Sequence, residues 1–110
     1  MKNLQRKEKS EKKEEGYKSL LIWQKSILLN TLIFEVTKTF PYEERLGITS
    51  QIRRSAVSIP SNIAEGFGRM SKKSLSAFLK IALGSVYELE TQILISKTQG
   101  FVRMLRILVI

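Results

Sequence analysis

Two adjacent arginines, Arg53 and Arg54, and a looser basic run, Arg69, Lys72, Lys73 and Lys80, carry the plainest chemistry in this sequence. Cations on a helical surface contact backbone phosphates of nucleic acid and supply affinity without reading sequence. Arg53 and Arg54 are neighbours on a predicted helix and project about 100° apart, so both cannot face a core. One of them is therefore available to phosphate. The competing reading pairs them with Glu65 or Glu88, within or between subunits, because a buried unpaired charge is strongly destabilising. Arg69, Lys72 and Lys73 flank the start of a predicted helix, where cations oppose the helix dipole. A helix N-terminus lined by cations and free amide groups is also a ready anion site. Lys80, one heptad beyond Lys73, extends the same side into a short basic strip. The bland alternative for this group is a solvated turn.

Other candidate machinery reads as structural. Gln51, Ser55, Ser58, Asn62 and Glu65 form an uncharged-to-acidic stripe, with Glu88 on the next helix as its expected partner. Ser58 beside Glu65 has no base of suitable pKa to activate it, so a seam that satisfies its own hydrogen bonds is expected. All ten acidic residues are Glu, and the chain has neither His nor Cys. That excludes a zinc site built on thiolate or imidazole, a Ser-His-Asp or Cys-His catalyst and a redox dithiol. Glu65, Glu88 and Glu90 are the remaining hard-cation candidates, and the missing His and Asp argue against them. No enzymatic activity, metal or cofactor is expected. Tyr17, Trp23, Phe34, Phe67 and Phe78 fall at helical spacing and read as core, with Phe67 the one candidate for base stacking beside Arg69.

The elements that must position these residues are helices. Residues 18–40 repeat apolar side chains at three- and four-residue steps in two stripes. One is Leu20, Trp23, Ile27, Thr31 and Phe34; the other is Ile22, Leu29, Ile33, Val36 and Phe40. Pro41 ends this segment. A second helix, 44–66, starts at Glu43-Glu44, acids suited to a helix N-terminus, and buries Ile48, Ile52, Ala56, Ile59 and Ile63. Pro60 lies inside it, and both stripes keep their phase across the proline, which predicts a kink rather than a stop. Gly66 to Met70 reads as a turn, and Ser71 as the N-cap of a third helix over 72–99. Its seam is Leu75, Leu79, Ala82, Val86, Leu89, Ile93 and Ser96. Ser74, Ala77, Ile81, Gly84 and Glu88 make a second face that lets another backbone come close. Gly100 is the expected stop, followed by an apolar stub, 101–110.

Residues 1–16 carry 6 basic and 4 acidic side chains with Leu4 as their only large apolar residue, which reads as a solvated arm. Residues 17–110 form the helical domain. The chain holds 19 Lys+Arg against 10 acidic residues, a formal net charge of +9, and so favours anionic partners. No apolar run approaches the ~20 residues of a membrane span, and the charged start has no signal-peptide core; a cytoplasmic location is the expectation. Three long helices and a stub leave apolar surface that self-association must cover.

Leu21-Ile22-Trp23-Gln24-Lys25, Phe40-Pro41-Tyr42-Glu43-Glu44 and the run from Gln51 to Gly66, with Ser58-Ile59-Pro60-Ser61-Asn62-Ile63-Ala64-Glu65-Gly66 at its heart, resemble the bacterial four-helix-bundle proteins encoded in intervening sequences of 23S ribosomal RNA genes. Ile81 to Thr91 resembles the third-helix signature of that family. The resemblance covers residues 17–102. It implies an all-α, left-handed up-down four-helix bundle whose members form ring-shaped homopentamers, are non-catalytic, and associate with RNA or the ribosome. Distant relatives include the accessory protein of diversity-generating retroelements, which binds nucleic acid and a reverse transcriptase. Members continue into a full fourth helix, whereas eight residues follow Val102 here; a shortened or missing fourth helix is therefore expected.

These readings converge on an oligomeric, non-catalytic helical protein that binds RNA or DNA, structured ribosomal RNA first, through Arg53, Arg54, Arg69, Lys72, Lys73 and Lys80. The alternatives are an adaptor ring that recruits a protein partner without touching nucleic acid, and a truncated copy with no function.

Overall fold

The computed structural model describes residues 16–102. Residues 1–15 of the arm expected over 1–16 and the end of the stub, 103–110, with the expectation of a shortened fourth helix, lie outside the described residues. Those that are described form an all-α structure of three long helices and no strand: α1 (Leu21–Thr37), α2 (Ile48–Gly68) and α3 (Lys72–Thr98). Single tight turns precede the first two, at Tyr17–Ser19 and Tyr42–Glu44. The middle helix packs on both neighbours, while α1 and α3 scarcely meet. The core is accordingly the α2 stripe, with Ile52, Ala56, Ile59 and Ile63 buried against Ile33 and Val36 of α1 and Ala82 and Leu89 of α3. Each fully buried isoleucine contributes about 1.5–3 kcal/mol.

Two boundaries differ from expectation. α1 stops at Thr37, short of Pro41, because its last turn tightens: the amides of Thr39 and Phe40 donate three residues back, to Val36 and Thr37, both at 3.2 Å. Glu43 and Glu44 head a separate tight turn, and α2 begins only after Gly47, whose backbone leaves the helical region (φ −104, ψ −117). The stripe of Ile27, Thr31 and Phe34 on α1 stays exposed, since only one face of α1 has a helix against it.

Pro60 neither breaks α2 nor ends it. Proline has no amide hydrogen, so the carbonyl four residues back, that of the fully buried Ala56, loses its helical donor. Asn30 of α1 replaces it: its side-chain amide donates to the Ala56 carbonyl at 2.7 Å and to the Ser26 carbonyl at 2.9 Å. A buried carbonyl thus keeps a partner, and α1 is tied to α2 where the proline sits.

Gly66, read from the sequence as part of a turn, is buried inside α2. A Cβ at this position would lie 2.7 Å from the Cβ of Phe78 and 3.4 Å from the backbone of Leu75. The glycine leaves α3 room to pack directly against the backbone of α2 here. The turn proper begins at Arg69, and Met70 takes the left-handed conformation (φ 62) there, at about 1–2 kcal/mol for an L-residue. Ser71 caps α3 as expected, accepting from the Ser74 amide at 3.1 Å. At the far end Gly100 (φ 78) reverses the chain: Phe101 N–H donates to the Ser96 carbonyl at 2.9 Å and Gly100 N–H to that of Lys97 at 3.0 Å. This pair of bonds satisfies the last carbonyls of α3 and turns Phe101 onto Phe40, ring centroids 5.9 Å apart, with Val102 buried.

Two outcomes test these joints. Asn30→Ala should destabilise the protein by about 1–3 kcal/mol in urea unfolding, the penalty of an unsatisfied buried carbonyl; in a Pro60→Ala background, where the helix supplies its own amide, most of that loss should vanish. Gly66→Ala, although it adds helix propensity, should lower stability by about 1–3 kcal/mol through overpacking against Phe78.

Candidate nucleic-acid interface

The basic strip is built on the first turns of α3. Lys72 and Lys73 follow the Ser71 cap in a first turn that has no acidic residue, so nothing on that turn offsets their charge. Lys72, Lys73 and Lys80 are exposed, and none is in an ion pair among the described residues. Lys72 and Lys80 stand eight residues apart, about 12 Å along the axis. They rim a shallow groove of about 340 Å³ floored by Leu75, Leu79 and Leu83. Three exposed cations near one helix start, with no acidic residue on that turn, can each contact a phosphate.

Arg69 stands beside this strip and is partly spent. Its guanidinium bonds the Glu65 carboxylate at 2.8 Å and lies 5.3 Å from the centre of the Phe78 ring. Both partners of the ion pair are more than half exposed, so the pair holds Arg69 only weakly.

Arg53 and Arg54 part company, as their angular separation requires. Arg53 is half-buried and turned toward α1: its Nε donates to Thr37 Oγ1 at 2.9 Å, and its guanidinium carbon lies 4.6 Å from the centre of the Phe34 ring. Thr37 in turn donates to the Ile33 carbonyl at 2.8 Å. Arg54 is exposed and in no ion pair among the described residues. Within one subunit, pairing of either arginine with Glu65 or Glu88 does not form among the described residues: Glu65 holds Arg69, and Glu88, on α3, accepts from Gln92 at 3.2 Å. Arg53 points to the opposite neighbour of α2. Of the two, Arg54 is the one open to a phosphate.

The polar stripe closes on itself between α2 and α3. Ser55 donates to Gln92 at 3.0 Å, Ser58 and Ser85 share a bond of 2.8 Å, and Asn62 donates to the Ser58 hydroxyl at 2.9 Å. Ser96 donates to the Gln92 carbonyl at 2.9 Å. Gln51 and Glu65 are exposed and stand outside this seam. Ser85 and Gln92 are the members that sequence reasoning missed; their seven-residue spacing on α3, facing a serine stripe on α2, was the available signal. With Ser58 engaged by two neutral neighbours, the seam positions helices rather than activating a nucleophile. Thr49 alone keeps a buried hydroxyl with no protein partner among the described residues.

The aromatic residues are mostly packed. Tyr17 meets Trp23 edge-on at 5.4 Å. Phe67 lies half-buried beneath Gly16, so close that a Cβ on that glycine would sit 2.7 Å from its ring. Glu65, Glu88 and Glu90 do not converge, and no cluster of three potential ligands occurs among the described residues. No helix among them is long and apolar enough to cross a membrane.

The model of the 23S rRNA-intervening sequence protein family matches residues 18–107 of the chain. No curated protein matches it.

The two arginines should separate in stability measurements. Arg53→Ala should lower stability by about 1–3 kcal/mol, because Thr37 and Phe34 lose a charged, stacked partner. Arg54→Ala should stay within about 0.5 kcal/mol of the parent protein.

Proposed function

The chain belongs to the 23S rRNA-intervening sequence protein family, and from that premise we propose that it is a non-catalytic, self-associating helical protein that binds RNA, with ribosomal RNA the first candidate. The observation that carries this reading is the strip of Lys72, Lys73 and Lys80. These are three exposed lysines without ion-pair partners among the described residues, near the start of one helix, in a chain of net charge +9. Arg54 and the loosely held Arg69 add to it; Arg53 supports the scaffold. Phosphate contacts supply the affinity, so the binding is broad in sequence and steep in salt.

Self-association is supported by what the three helices leave uncovered. Leu21 is 62% exposed, Leu28 65%, Ile81 52% and Ile95 49%. Ile81 and Ile95 share a face of α3 with Gly84, where a Cβ would meet nothing within 4 Å. A helix-interior glycine without a neighbour in its own subunit gives up about 1 kcal/mol relative to alanine; close approach of another subunit would explain it. A ring of five copies is the assembly we propose.

Lys72→Glu with Lys73→Glu should weaken RNA binding uniformly across sequences and reduce the slope of log affinity against log salt by about 1–2, with assembly mass unchanged. Titrations at low salt that show no RNA or DNA binding by the wild-type assembly would refute the reading.

A further inference from the structure

The last turns of α2 carry a polar hollow that the lysine strip does not use. Ser61, Ala64, Glu65 and Gly68 of α2 line it, together with Arg69 and, from the turn before α1, Tyr17. It holds about 350 Å³ and shares no residue with the apolar cleft between α1 and α3, which Ile22, Ile59, Ile63 and Leu83 line. Its side chains are placed by the fold around them. Tyr17 is held edge-on to Trp23 at 5.4 Å. Ser61 donates to the Val57 carbonyl at 2.8 Å, which leaves its oxygen to accept. Arg69 bonds one Glu65 oxygen, Oε1, at 2.8 Å, and Oε2 is in no hydrogen bond among the described residues. Both side chains are more than half exposed. Gly68 keeps the hollow open: a Cβ there would meet nothing within 4 Å, although glycine is a poor helix former. The exposed Lys18 ammonium stands 5.9 Å from the centre of the Tyr17 ring.

We propose that this hollow takes one unpaired guanine of a single-stranded RNA segment; the proposal rests on the RNA-binding reading above and adds a base preference to it. Unpaired bases are recognised by stacking on aromatic rings and by hydrogen bonds to their open edges. Tyr17 supplies the ring, and the Glu65–Arg69 pair supplies the edge contacts. Guanine alone among the four bases sets two N–H groups, at N1 and N2, beside the O6 carbonyl. A carboxylate accepts from the first two, and a guanidinium donates to O6. Adenine and cytosine place a ring acceptor next to their amino group, and uracil encloses its one N–H between two carbonyls. Each of these turns a lone pair toward the carboxylate. A carboxylate on a phosphate-binding surface weakens affinity through repulsion unless it accepts from a base, which gives Glu65 a purpose there. The Ser61 oxygen is left for a ribose hydroxyl. Lys18 and Arg69 bring positive charge to the phosphates of the same nucleotide, and Arg69 lies three residues from Lys72, where the strip begins.

The test is fluorescence anisotropy of the full chain with labelled oligouridines of about eight nucleotides. Each carries one central guanosine, adenosine or cytidine, and the all-uridine oligomer is the reference; GMP is a separate arm. The guanosine oligomer should bind about tenfold more tightly than the other three. Glu65→Gln, which exchanges an acceptor for a donor, should bring it within about twofold of the all-uridine oligomer. Gly68→Leu fills the hollow without removing a polar group and should do the same, with all-uridine affinity kept within about twofold of the parent protein. Lys72→Glu with Lys73→Glu should weaken all four oligomers together and keep the guanosine preference. GMP should bind at least about tenfold more weakly than the guanosine oligomer, since it lacks the neighbouring phosphates. Equal binding of the four oligomers overturns the guanine site and leaves phosphate binding standing, whereas failure of all four to bind at low salt overturns both. A guanosine preference that survives Glu65→Gln and Gly68→Leu also overturns it. So does GMP binding as tightly as the oligomer, which would make the hollow a site for a free nucleotide.

Discussion

The carbonyl of Ala56 is the constraint from which the arrangement of the three helices follows. Pro60 takes away its helical donor in a position with no access to water, and a buried acceptor without a partner is more costly than a hydrogen bond is favourable. Asn30 resolves this from the neighbouring helix. Because the same amide also reaches the Ser26 carbonyl, the rotation of α1 about its own axis is set with it. That rotation puts Ile33 and Val36 on the core and leaves Ile22, Ile27 and Leu28 outside. The proline is therefore a joint between helices rather than a defect in one.

On its other side α2 is held by different means. The Ser55–Gln92 and Ser58–Ser85 bonds fix the register of α3, and Gly66 lets the two backbones close to the distance those short side chains need. Polar seams of this sort favour one alignment strongly, since any slip of the helices leaves several buried groups unpaired at once. Held in that register, α3 presents Lys72, Lys73 and Lys80 away from the core, with Leu79 and Leu83 toward the cleft it shares with α1.

The basic residues consequently divide into two kinds. Arg53 reaches across to Thr37 and Phe34 and acts as part of the α1–α2 contact. Arg54, one position on, and the lysines of α3 face solvent. A net charge of +9 overstates the surface available to an anion when part of it is spent inside the fold in this way. The same division explains why so polar a chain carries an apolar groove: its lysines stand at the rims, and its leucines and isoleucines at the floor.

Much of this was legible in the residues themselves. The periodicities placed three helices, the α2 core stripe, the Ser71 cap and the Gly100 reversal, because these depend on local spacing and backbone chemistry that neighbours in sequence settle between them. The lack of His and Cys removed whole classes of catalyst before any fold was considered. What the sequence could not supply was the choice among equivalent faces. α1 has two apolar stripes, and only the Asn30–Ala56 bond decides which is covered; Gly66 looks like a turn until Phe78 stands against it; Arg53 and Arg54 are indistinguishable until one finds Thr37. Each of these is a contact between residues 12 to 26 positions apart, and pairings at that range are selected by packing and by the need to satisfy buried polar groups, neither of which leaves a periodic mark on the chain.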